Sequence, residues 1–241
     1  MKKRFQQQCL KAKNDLPIYL PHASLFLDKQ GEASGYRHFF SEYKLMELAW
    51  HIERIQPKCI LELGGGSTTA VFADYVLKHP DVTVLSIDNS QRYLDETKNR
   101  LDSDVRGAVT FRCFERKIER ISGEDTCYYS PSLHQQFKGH IIDLCYVDGP
   151  FNQLENSKKL MPCIDSIKLL EAGAIVRHFL FDYRFSSVQF FCKSAFGLKY
   201  DKKLHHNAFY KNELIWNVFP VRYHSFLSLR SGIEINEKLD P

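Results

Sequence analysis

Short runs of apolar residues alternate along most of the chain with longer segments in which apolar residues recur at helical spacing. The runs predict strands at residues 59–63, 82–87, 109–114, 141–147 and 174–176. The periodic segments predict helices from Ser41 to Pro57 and at residues 67–78, 90–101, 153–170 and 187–196. Because strands alternate with helices, the pattern predicts an α/β fold with a doubly wound, mostly parallel sheet.

Three stretches follow this pattern less clearly. Residues 1–38 lack periodicity and are interpreted as a packed N-terminal arm, followed by one domain over residues 39–241. Residues 115–139 contain scattered glycine and proline and are predicted to be irregular. The last two strands are predicted at residues 198–204 and 214–221, joined as a hairpin-like return.

Composition narrows the class of protein without naming its ligand. A chain of 241 residues with 44% hydrophobic and 26% charged residues is typical of a soluble globular domain. The net charge of +4 is modest, and no basic-aromatic stripe accompanies it, so nucleic acid is not an expected partner. No apolar run approaches the roughly 18 residues that a membrane span needs, so no membrane partner is expected.

Cysteine usage indicates the redox environment. The seven cysteines form no C-x-x-C pair, their number is odd, and several lie in apolar runs. This pattern fits neither a zinc site nor a disulfide framework, and it favours a reducing compartment. We therefore expect a soluble cytoplasmic protein.

The first predicted strand carries Glu62 and runs into three consecutive glycines, Gly64, Gly65 and Gly66. Residues with hydroxyl groups then open a helix, so a strand, a glycine turn and a helix N-terminus follow one another. This order predicts a site for a polar ligand with exposed oxygens. In the spacing E-x-G-x-G-x-x-T, Thr69 stands where the dinucleotide fingerprint has its third glycine, which argues against a nicotinamide-dependent dehydrogenase.

Two further acids end predicted strands. Asp88 ends the second strand, and Asp148 with Gly149 follows the fourth. Because the carboxyl ends of parallel strands meet at one edge of the sheet, we expect Asp88, Asp148 and the glycine turn to converge there. Purely structural roles stay open: Glu62 can cap local backbone, and both aspartates suit turns.

These motifs resemble those of the class I S-adenosylmethionine-dependent methyltransferases. The resemblance rests on residues 60–69, on Asp88, on the V-D-G-P stretch within residues 142–150, and on residues 171–176. It covers about residues 40–220. It implies a seven-stranded, Rossmann-like sheet whose last strand is antiparallel.

The resemblance also implies where the cofactor, S-adenosyl-L-methionine, would bind. Asp88 would hold the ribose hydroxyls, residues near Phe114 would lie beside the adenine, and Asp148 would lie near the methionine moiety or the acceptor. The full set of implied cofactor-binding residues is Glu62, Gly64, Gly65, Gly66, Thr69, Asp88, Phe114, Glu115 and Asp148.

Methyl transfer to a hydroxyl commonly needs a base that removes the proton. Asp148, His178 and Asp182 are the candidates, and His178 is chosen with Asp148 because it follows the fifth predicted strand directly. Metal-dependent relatives often carry an acid pair after this strand, whereas Arg177 and His178 stand here, so no metal is predicted. The alternative that Asp148, His178 and Asp182 hold a divalent cation stays open.

The expected activity is methyl transfer to an oxygen or nitrogen of a small-molecule acceptor. Tyr128, Tyr129 and His134 either line the acceptor pocket or pack an ordinary loop. The sequence has no N/D-P-P-Y/F motif, which further disfavours nucleic-acid modification. The alternative function is that of a non-catalytic or degenerate S-adenosylmethionine-binding protein with a regulatory or assembly role. The oligomeric state is not predictable.

Overall fold

The computed structural model of the protein describes residues 2–34, 41–153, 160–182, 184–202 and 224–229. Within these residues the strands are β1 (Cys59–Leu63), β2 (Thr83–Asp88), β3 (Thr110–Cys113), β4 (Arg116–Ile121), β5 (Glu124–Tyr129), β6 (Ile141–Val147), β7 (Ile175–Asp182), β8 (Tyr200–Lys202) and β9 (His224–Leu229). The helices are α1 (Lys2–Tyr19), α2 (Pro21–Ser34), α3 (Ser41–Ile55), α4 (Ser67–Lys78), α5 (Gln91–Arg100), α6 (Ser103–Arg106), α7 (Pro131–Gln135), α8 (Asp165–Glu171) and α9 (Phe185–Lys193). A short 3₁₀ turn, Gly197–Lys199, precedes β8.

Seven strands form the central sheet in the order β3-β2-β1-β6-β7-β9-β8. Strand β1 lies inside the sheet and pairs in parallel with β2 and β6, while β9 runs antiparallel to both of its neighbours. The predicted α/β fold with a mostly parallel, seven-stranded sheet is confirmed. Leu63 pairs with both Ile87 and Val147, so the carboxyl ends of β1, β2 and β6 lie level with one another.

The sheet has a hydrophobic core on each face. On one face Ile60, Leu144 and Tyr146 pack with residues of helices α1 to α4. On the other face Leu61 and Cys145 pack with residues of α7, α8 and α9. Successive strand residues alternate between these two cores, as the pleat requires, so both faces of the parallel strands are covered by helices.

The N-terminal residues form two helices where the sequence shows no periodicity. Leu16 of α1 and Phe26 of α2 are buried in the same core as α3 and α4. Helix α2 begins against Asp74 of α4, whose carboxylate accepts hydrogen bonds from the backbone N–H groups of His22 (3.3 Å) and Ala23 (2.9 Å). This cap comes from a residue far along the chain, so the local sequence marks the start of the helix only through Pro21, its first residue.

The prediction that residues 115–139 are irregular is wrong. Strands β4 and β5 pair as an antiparallel hairpin, and α7 follows it. The hairpin turns at Ser122 and Gly123, both of which have positive φ angles, 52° and 82°. Charged residues dominate β4 and part of it is exposed, so the stretch lacks the apolar run that would predict a buried strand.

The region between β6 and β7 also departs from its prediction. Helix α8 occupies only the last part of the predicted helix at 153–170, and residues 161–164 are not helical. Within them Cys163 forms an isolated parallel bridge with Cys127 of β5. Strand β7 extends to Asp182, well beyond the predicted 174–176.

Near the C-terminus, β8 falls within the predicted strand at 198–204. Strand β9 was not predicted, and the strand predicted at 214–221 lies outside the described residues.

Candidate functional site

The backbones of β1 and β6 meet directly at the carboxyl edge of the sheet. The N–H of Asp148 donates to the carbonyl of Leu63 (2.7 Å), and the N–H of Gly64 donates to the carbonyl of Ile87 (2.7 Å). A Cβ on Gly64 would lie 2.6 Å from the backbone carbon of Asp148 and 2.6 Å from the nitrogen of Gly149. Gly64 also has a φ of 97°, so this position requires glycine for both space and conformation.

Glu62 holds the glycine turn from inside the protein. It is fully buried, and its two carboxyl oxygens accept hydrogen bonds from the hydroxyls of Thr68 (2.6 Å) and Thr69 (2.7 Å). The hydroxyl oxygen of Thr69 in turn accepts the N–H of Gly66 at 2.9 Å. Burial raises the pKa of Glu62 to about 7, against the opposing effect of the hydroxyls of Ser86, Thr68 and Thr69.

Asp88 lies beside the same turn at the end of β2. Its carboxylate accepts the N–H of Ser90 at 2.9 Å. Burial raises the pKa of Asp88, although the nearby N–H groups of Ser90, Asn89 and Gly65 favour the ionised form. Asp88 is only partly buried, so its carboxylate is available to a ligand at this edge.

The N–H groups of the three glycines all face acceptors within the protein. Gly64 donates to a carbonyl of β2, Gly65 faces the carboxylate of Asp88, and Gly66 donates to Thr69. The turn from residue 64 to residue 69 contains no lysine or arginine. The N–H groups of its glycines are therefore engaged, and the turn lacks the positive charge that a phosphate-binding turn provides.

Asp148 lies in a cluster of charged side chains that the sequence did not predict as a unit. Lys44 of α3 contacts a carboxylate oxygen of Asp182 and lies 3.5 Å from Oδ2 of Asp148. Arg184 approaches the other oxygen of Asp148 at 3.3 Å and also donates to its carbonyl. Burial raises the pKa of Asp148, and neighbouring Asp182 does so too, while Lys44 and Arg184 lower it.

The two cations of the cluster stay protonated. Burial disfavours the charge on Lys44, but attraction to Asp148 and Asp182 outweighs it and raises the pKa of Lys44. The same balance, with Cys163 as a further partner, raises the pKa of Arg184. Lys44 and Arg184 were not singled out from the sequence, since a lysine in an amphipathic helix and an arginine before another helix carry no local signal.

Arg184 also connects this cluster to a pair of buried cysteines. Its Nη1 lies 3.2 Å from the carbonyl oxygen of Pro150 and 3.2 Å from Sγ of Cys163. Sγ of Cys163 lies 3.6 Å from Sγ of Cys127, and both are free thiols. Burial opposes ionisation of Cys163, but hydrogen bonding with Cys127 and the charge of Arg184 lower its pKa.

Two aromatic residues border the edge. The hydroxyl of Tyr93 lies 3.0 Å from the position that a Cβ on Gly66 would occupy. Phe151 is 61% exposed, yet its N–H donates to the side chain of Asn89 (3.2 Å) and its carbonyl accepts from Arg116 (2.8 Å). The segment after β6 is thus hydrogen-bonded both to the residue that follows β2 and to the first residue of β4.

The residues predicted to lie near the adenine are separated by the structure. The N–H of Phe114 donates to the carbonyl of Asp88 at 3.0 Å, which places Phe114 next to the end of β2. The carboxylate of Glu115 is largely exposed and pairs with Lys117 at 2.7 Å. Phe114 therefore adjoins the candidate site, whereas Glu115 is engaged in a surface ion pair.

The expected position of His178 at the end of the fifth strand is wrong. His178 lies inside β7, where it pairs with Leu144 of β6 and Ser228 of β9. Asp182, the last residue of the strand, lies four positions further along the chain, which corresponds to about 13 Å of strand length. Asp182, the third candidate base, occupies the edge instead.

The three aromatic candidates, which lie in β5 and α7, also differ in their surroundings. Tyr129 is fully buried and its hydroxyl donates to the carbonyl of Ile87 (3.3 Å), so it supports the strand ends from beneath. His134 binds Asp165 at 2.9 Å, and Tyr128 and His134 line a groove between α7 and α8. These contacts make His134 and Tyr128 part of the packing around α8.

The described residues contain one group of three side chains spaced to hold a metal ion, His22, Asp102 and Asp104. It lies on α2 and beside α6, away from the carboxyl edge, and Lys29 already pairs with Asp102 at 2.5 Å. Asp148, His178 and Asp182 do not form such a group because His178 lies within the sheet. Among the described helices, none is long and apolar enough to cross a bilayer.

No protein-family model and no curated protein sequence matches this chain. Solved structures do resemble it. A putative O-methyltransferase from Klebsiella pneumoniae has 14% sequence identity and a TM-score of 0.50, and the match covers 82% of this chain and 90% of that chain. This likeness agrees with the doubly wound fold described above.

Two further structures are similar at lower TM-scores. A methyltransferase from Geobacter sulfurreducens has 9% identity and a TM-score of 0.48, covering 86% of this chain and 88% of that chain. CalS11, a TDP-rhamnose 3'-O-methyltransferase of calicheamicin biosynthesis, has 16% identity and a TM-score of 0.45, covering 95% of this chain and 94% of that chain.

Proposed function

We propose that this protein is an S-adenosylmethionine-dependent methyltransferase that acts on a small-molecule acceptor. The observation that carries the proposal is the meeting of three features at one sheet edge. These are the glycine turn held by Glu62, the partly exposed carboxylate of Asp88, and Asp148 at the end of β6. The edge formed by the ends of parallel strands is where open α/β sheets bind ligands.

The chemistry of this edge fits the cofactor better than it fits a dinucleotide. The carboxylate of Asp88 can accept hydrogen bonds from both hydroxyls of a ribose. The glycine N–H groups are already engaged, which disfavours a pyrophosphate, and S-adenosylmethionine has no phosphate. When bound, S-adenosylmethionine supplies a methyl group activated by a positively charged sulfur.

Some residues of the site shape the glycine turn, and others are proposed to contact the cofactor or the acceptor. Glu62 and Thr69 shape the turn from behind, and Gly64 and Gly65 allow it to lie against β6 and β2. We assign Asp88 to the ribose. By the family resemblance, Gly66, Phe114 and Glu115 border the cofactor, although the carboxylate of Glu115 also pairs with Lys117 at the surface. Tyr93 joins them because its hydroxyl lies beside Gly66. Asp148 faces the acceptor and is the base in preference to His178.

Calorimetry with S-adenosylmethionine and S-adenosylhomocysteine tests the cofactor directly. We expect both to bind, and we expect Asp88→Ala to weaken binding by at least about tenfold, since charged hydrogen bonds contribute roughly 1.5–3 kcal/mol. Asp81→Ala is the matched control, because Asp81 precedes the opposite end of β2 and pairs with Lys58 at the surface. Binding of NADH with no binding of either adenosyl compound would refute the proposal.

Transfer is tested separately with a panel of hydroxyl and amine acceptors and a methyl-labelled cofactor. We expect labelled product from at least one acceptor. Cofactor binding without transfer to any member of a broad panel would favour the non-catalytic, regulatory alternative.

A further inference from the structure

The carboxylates at the ends of β6 and β7 both lie within ion-pair distance of the ammonium group of Lys44. Lys44 extends from α3, contacts Asp182 and lies 3.5 Å from Oδ2 of Asp148. Arg184 is bound to the other oxygen and the carbonyl of Asp148, on the side away from Lys44. Lys44 is therefore the group that joins the ends of the two strands.

Exposure shows which part of this cluster a bound molecule can reach. The side chain of Asp182 is 9% exposed, that of Lys44 is 20% exposed and that of Asp148 is 32% exposed. The Asp182 end is closed, whereas the Lys44–Asp148 end opens toward the carboxyl edge. An ammonium carries three N–H donors, so Lys44 can donate to a ligand while it holds both carboxylates.

The hydrogen-bonding capacity of Lys44 and Asp148 at the open end of the cluster favours one kind of acceptor group. Lys44 is a donor only, and an ionised Asp148 is an acceptor only. A hydroxyl satisfies both, because it accepts from Lys44 and donates to Asp148. A protonated amine cannot accept from Lys44, and a carboxylate cannot donate to Asp148. The pair therefore discriminates in favour of a hydroxyl over an amine that is protonated at neutral pH, whereas a neutral aromatic amine can satisfy both partners.

Resting on the proposed function, we propose that Lys44 and Asp148 receive the methyl acceptor as a hydroxyl group. Lys44 orients the oxygen and stabilises the negative charge that develops on it, and Asp148 takes its proton. In the balanced step, the oxygen forms the bond to the methyl carbon, its proton passes to Asp148, and the carbon–sulfur electron pair stays on sulfur. Asp182 is a positioning residue that holds Lys44 in place.

This arrangement has a consequence that does not depend on turnover. Two carboxylates from neighbouring strands form a negative site that the ammonium of Lys44 neutralises. Removing the ammonium leaves both acids facing the same space, where hard divalent cations bind carboxylate oxygens. The variant Lys44→Ala is then expected to gain a cation site at Asp148 and Asp182 that the wild-type protein lacks.

The first test uses the wild-type protein and matched acceptor pairs whose amine is protonated at neutral pH, such as benzyl alcohol with benzylamine and 2-phenylethanol with 2-phenylethylamine. We expect methyl transfer to the hydroxyl member only, measured with a labelled cofactor. Calorimetry with S-adenosylhomocysteine runs in parallel. Binding of that compound with transfer to amines alone overturns the hydroxyl inference and leaves the methyltransferase proposal standing. Failure to bind it overturns the methyltransferase proposal itself.

The second test substitutes Lys44 with residues that differ in charge. Lys44→Met removes the charge at similar length, and we expect kcat to fall at least about 100-fold with S-adenosylhomocysteine affinity changed by less than about threefold. Lys44→Arg should restore part of the rate because it restores the charge. Lys58→Met, on the surface beside Asp81, is the control. A Lys44→Met protein with wild-type turnover would overturn the role of Lys44.

The third test measures Mn²⁺ by electron paramagnetic resonance and needs no acceptor. Lys44→Ala should bind one more Mn²⁺ than wild type, and Lys44→Ala/Asp182→Asn should lose that gain. Comparing these variants removes any background from the group of His22, Asp102 and Asp104. If Lys44→Ala and wild type bind Mn²⁺ equally, Lys44 is not the cation that neutralises the two carboxylates, and the inference fails.

Discussion

Glu62 and Asp148 are two acids near the same edge of the sheet, and they differ in burial and in the charge of their neighbours. Glu62 of β1 is fully buried, and its carboxyl group accepts hydrogen bonds from the neutral hydroxyls of Thr68 and Thr69. Asp148 follows β6, is partly exposed, and lies between the charges of Lys44 and Arg184. Hydroxyl donors fix the direction of a carboxyl group without requiring it to be charged, whereas neighbouring cations favour its ionised form.

The contrast separates a structural acid from a reactive one. Burial raises the pKa of Glu62 and of Asp148 to about 7 in each case, and the two groups differ in that Asp148 has two nearby cations that favour its ionised form. Glu62 therefore serves the shape of the glycine turn in either protonation state. Asp148 combines charge with access to the edge, which a general base needs.

The difference in role between Asp148 and Glu62 is tested most directly by neutralising each acid without changing its shape. We expect Asp148→Asn to lower kcat for methyl transfer at least about 100-fold, because proton removal by a positioned base contributes roughly 100- to 10,000-fold. Glu62→Gln should lower kcat by less than about tenfold. Single-turnover assays at saturating cofactor measure both, with S-adenosylhomocysteine affinity as the control. Equal losses in the two variants would contradict the division of roles.

A second prediction concerns the contact that holds the two regions together. Gly64→Ala places a Cβ 2.6 Å from the backbone of Asp148 at a φ of 97°. We expect the free energy of unfolding to fall by about 3 kcal/mol, from overpacking and backbone strain together. Gly107→Ala is the control, because no atom lies within 4 Å of its Cβ position, and its loss should stay under about 1 kcal/mol. Urea unfolding measures both, and similar losses would remove the argument from close contact.

The smallest expected effect is a pH dependence that belongs to Glu62. Its pKa is raised from 4.5 to about 7 in the folded protein, so the folded state binds this proton more tightly than the unfolded state. The resulting stabilisation is fully present below the unfolded pKa and is lost as the pH rises through the folded pKa. Between about pH 5 and about pH 7 this corresponds to a loss on the order of 2 kcal/mol.

Urea unfolding of wild type and Glu62→Gln at these two pH values isolates the contribution. The variant cannot titrate at this position, so its stability should fall less between the two values than that of wild type. An identical fall in both proteins would show that Glu62 does not carry the shifted pKa.

The regions that could be predicted from sequence are those whose signals are local. The β-branched run before Asp88, the apolar strand before Gly64 and the hydroxyl residues that open α4 each mark their own element. The order of these elements was enough to predict the sheet, and with it the edge where Asp88 and Asp148 lie. Little of this depended on distant contacts.

The regions that could not be predicted depend on partners far along the chain. Arg177 and His178 resemble the end of a strand, yet Arg177 pairs with Asp143 of β6 at 2.9 Å and β7 continues. Helix α2 begins against Asp74, 51 residues beyond Ala23. Lys44 meets Asp182 across 138 residues. Such contacts exist only once the sheet has assembled, so no window of sequence contains them.

The position of β1 between β2 and β6 has a consequence for the energetics of binding. A molecule that touches the glycine turn, Asp88 and Asp148 spans the ends of β1, β2 and β6, whose hydrogen-bonded pairing exists only in the folded chain. Its affinity for the folded state alone adds directly to stability, by about 2.7 kcal/mol at a concentration of 100 times Kd. Thermal melting therefore provides a direct screen in which each candidate cofactor or acceptor is identified by the rise in Tm that it causes.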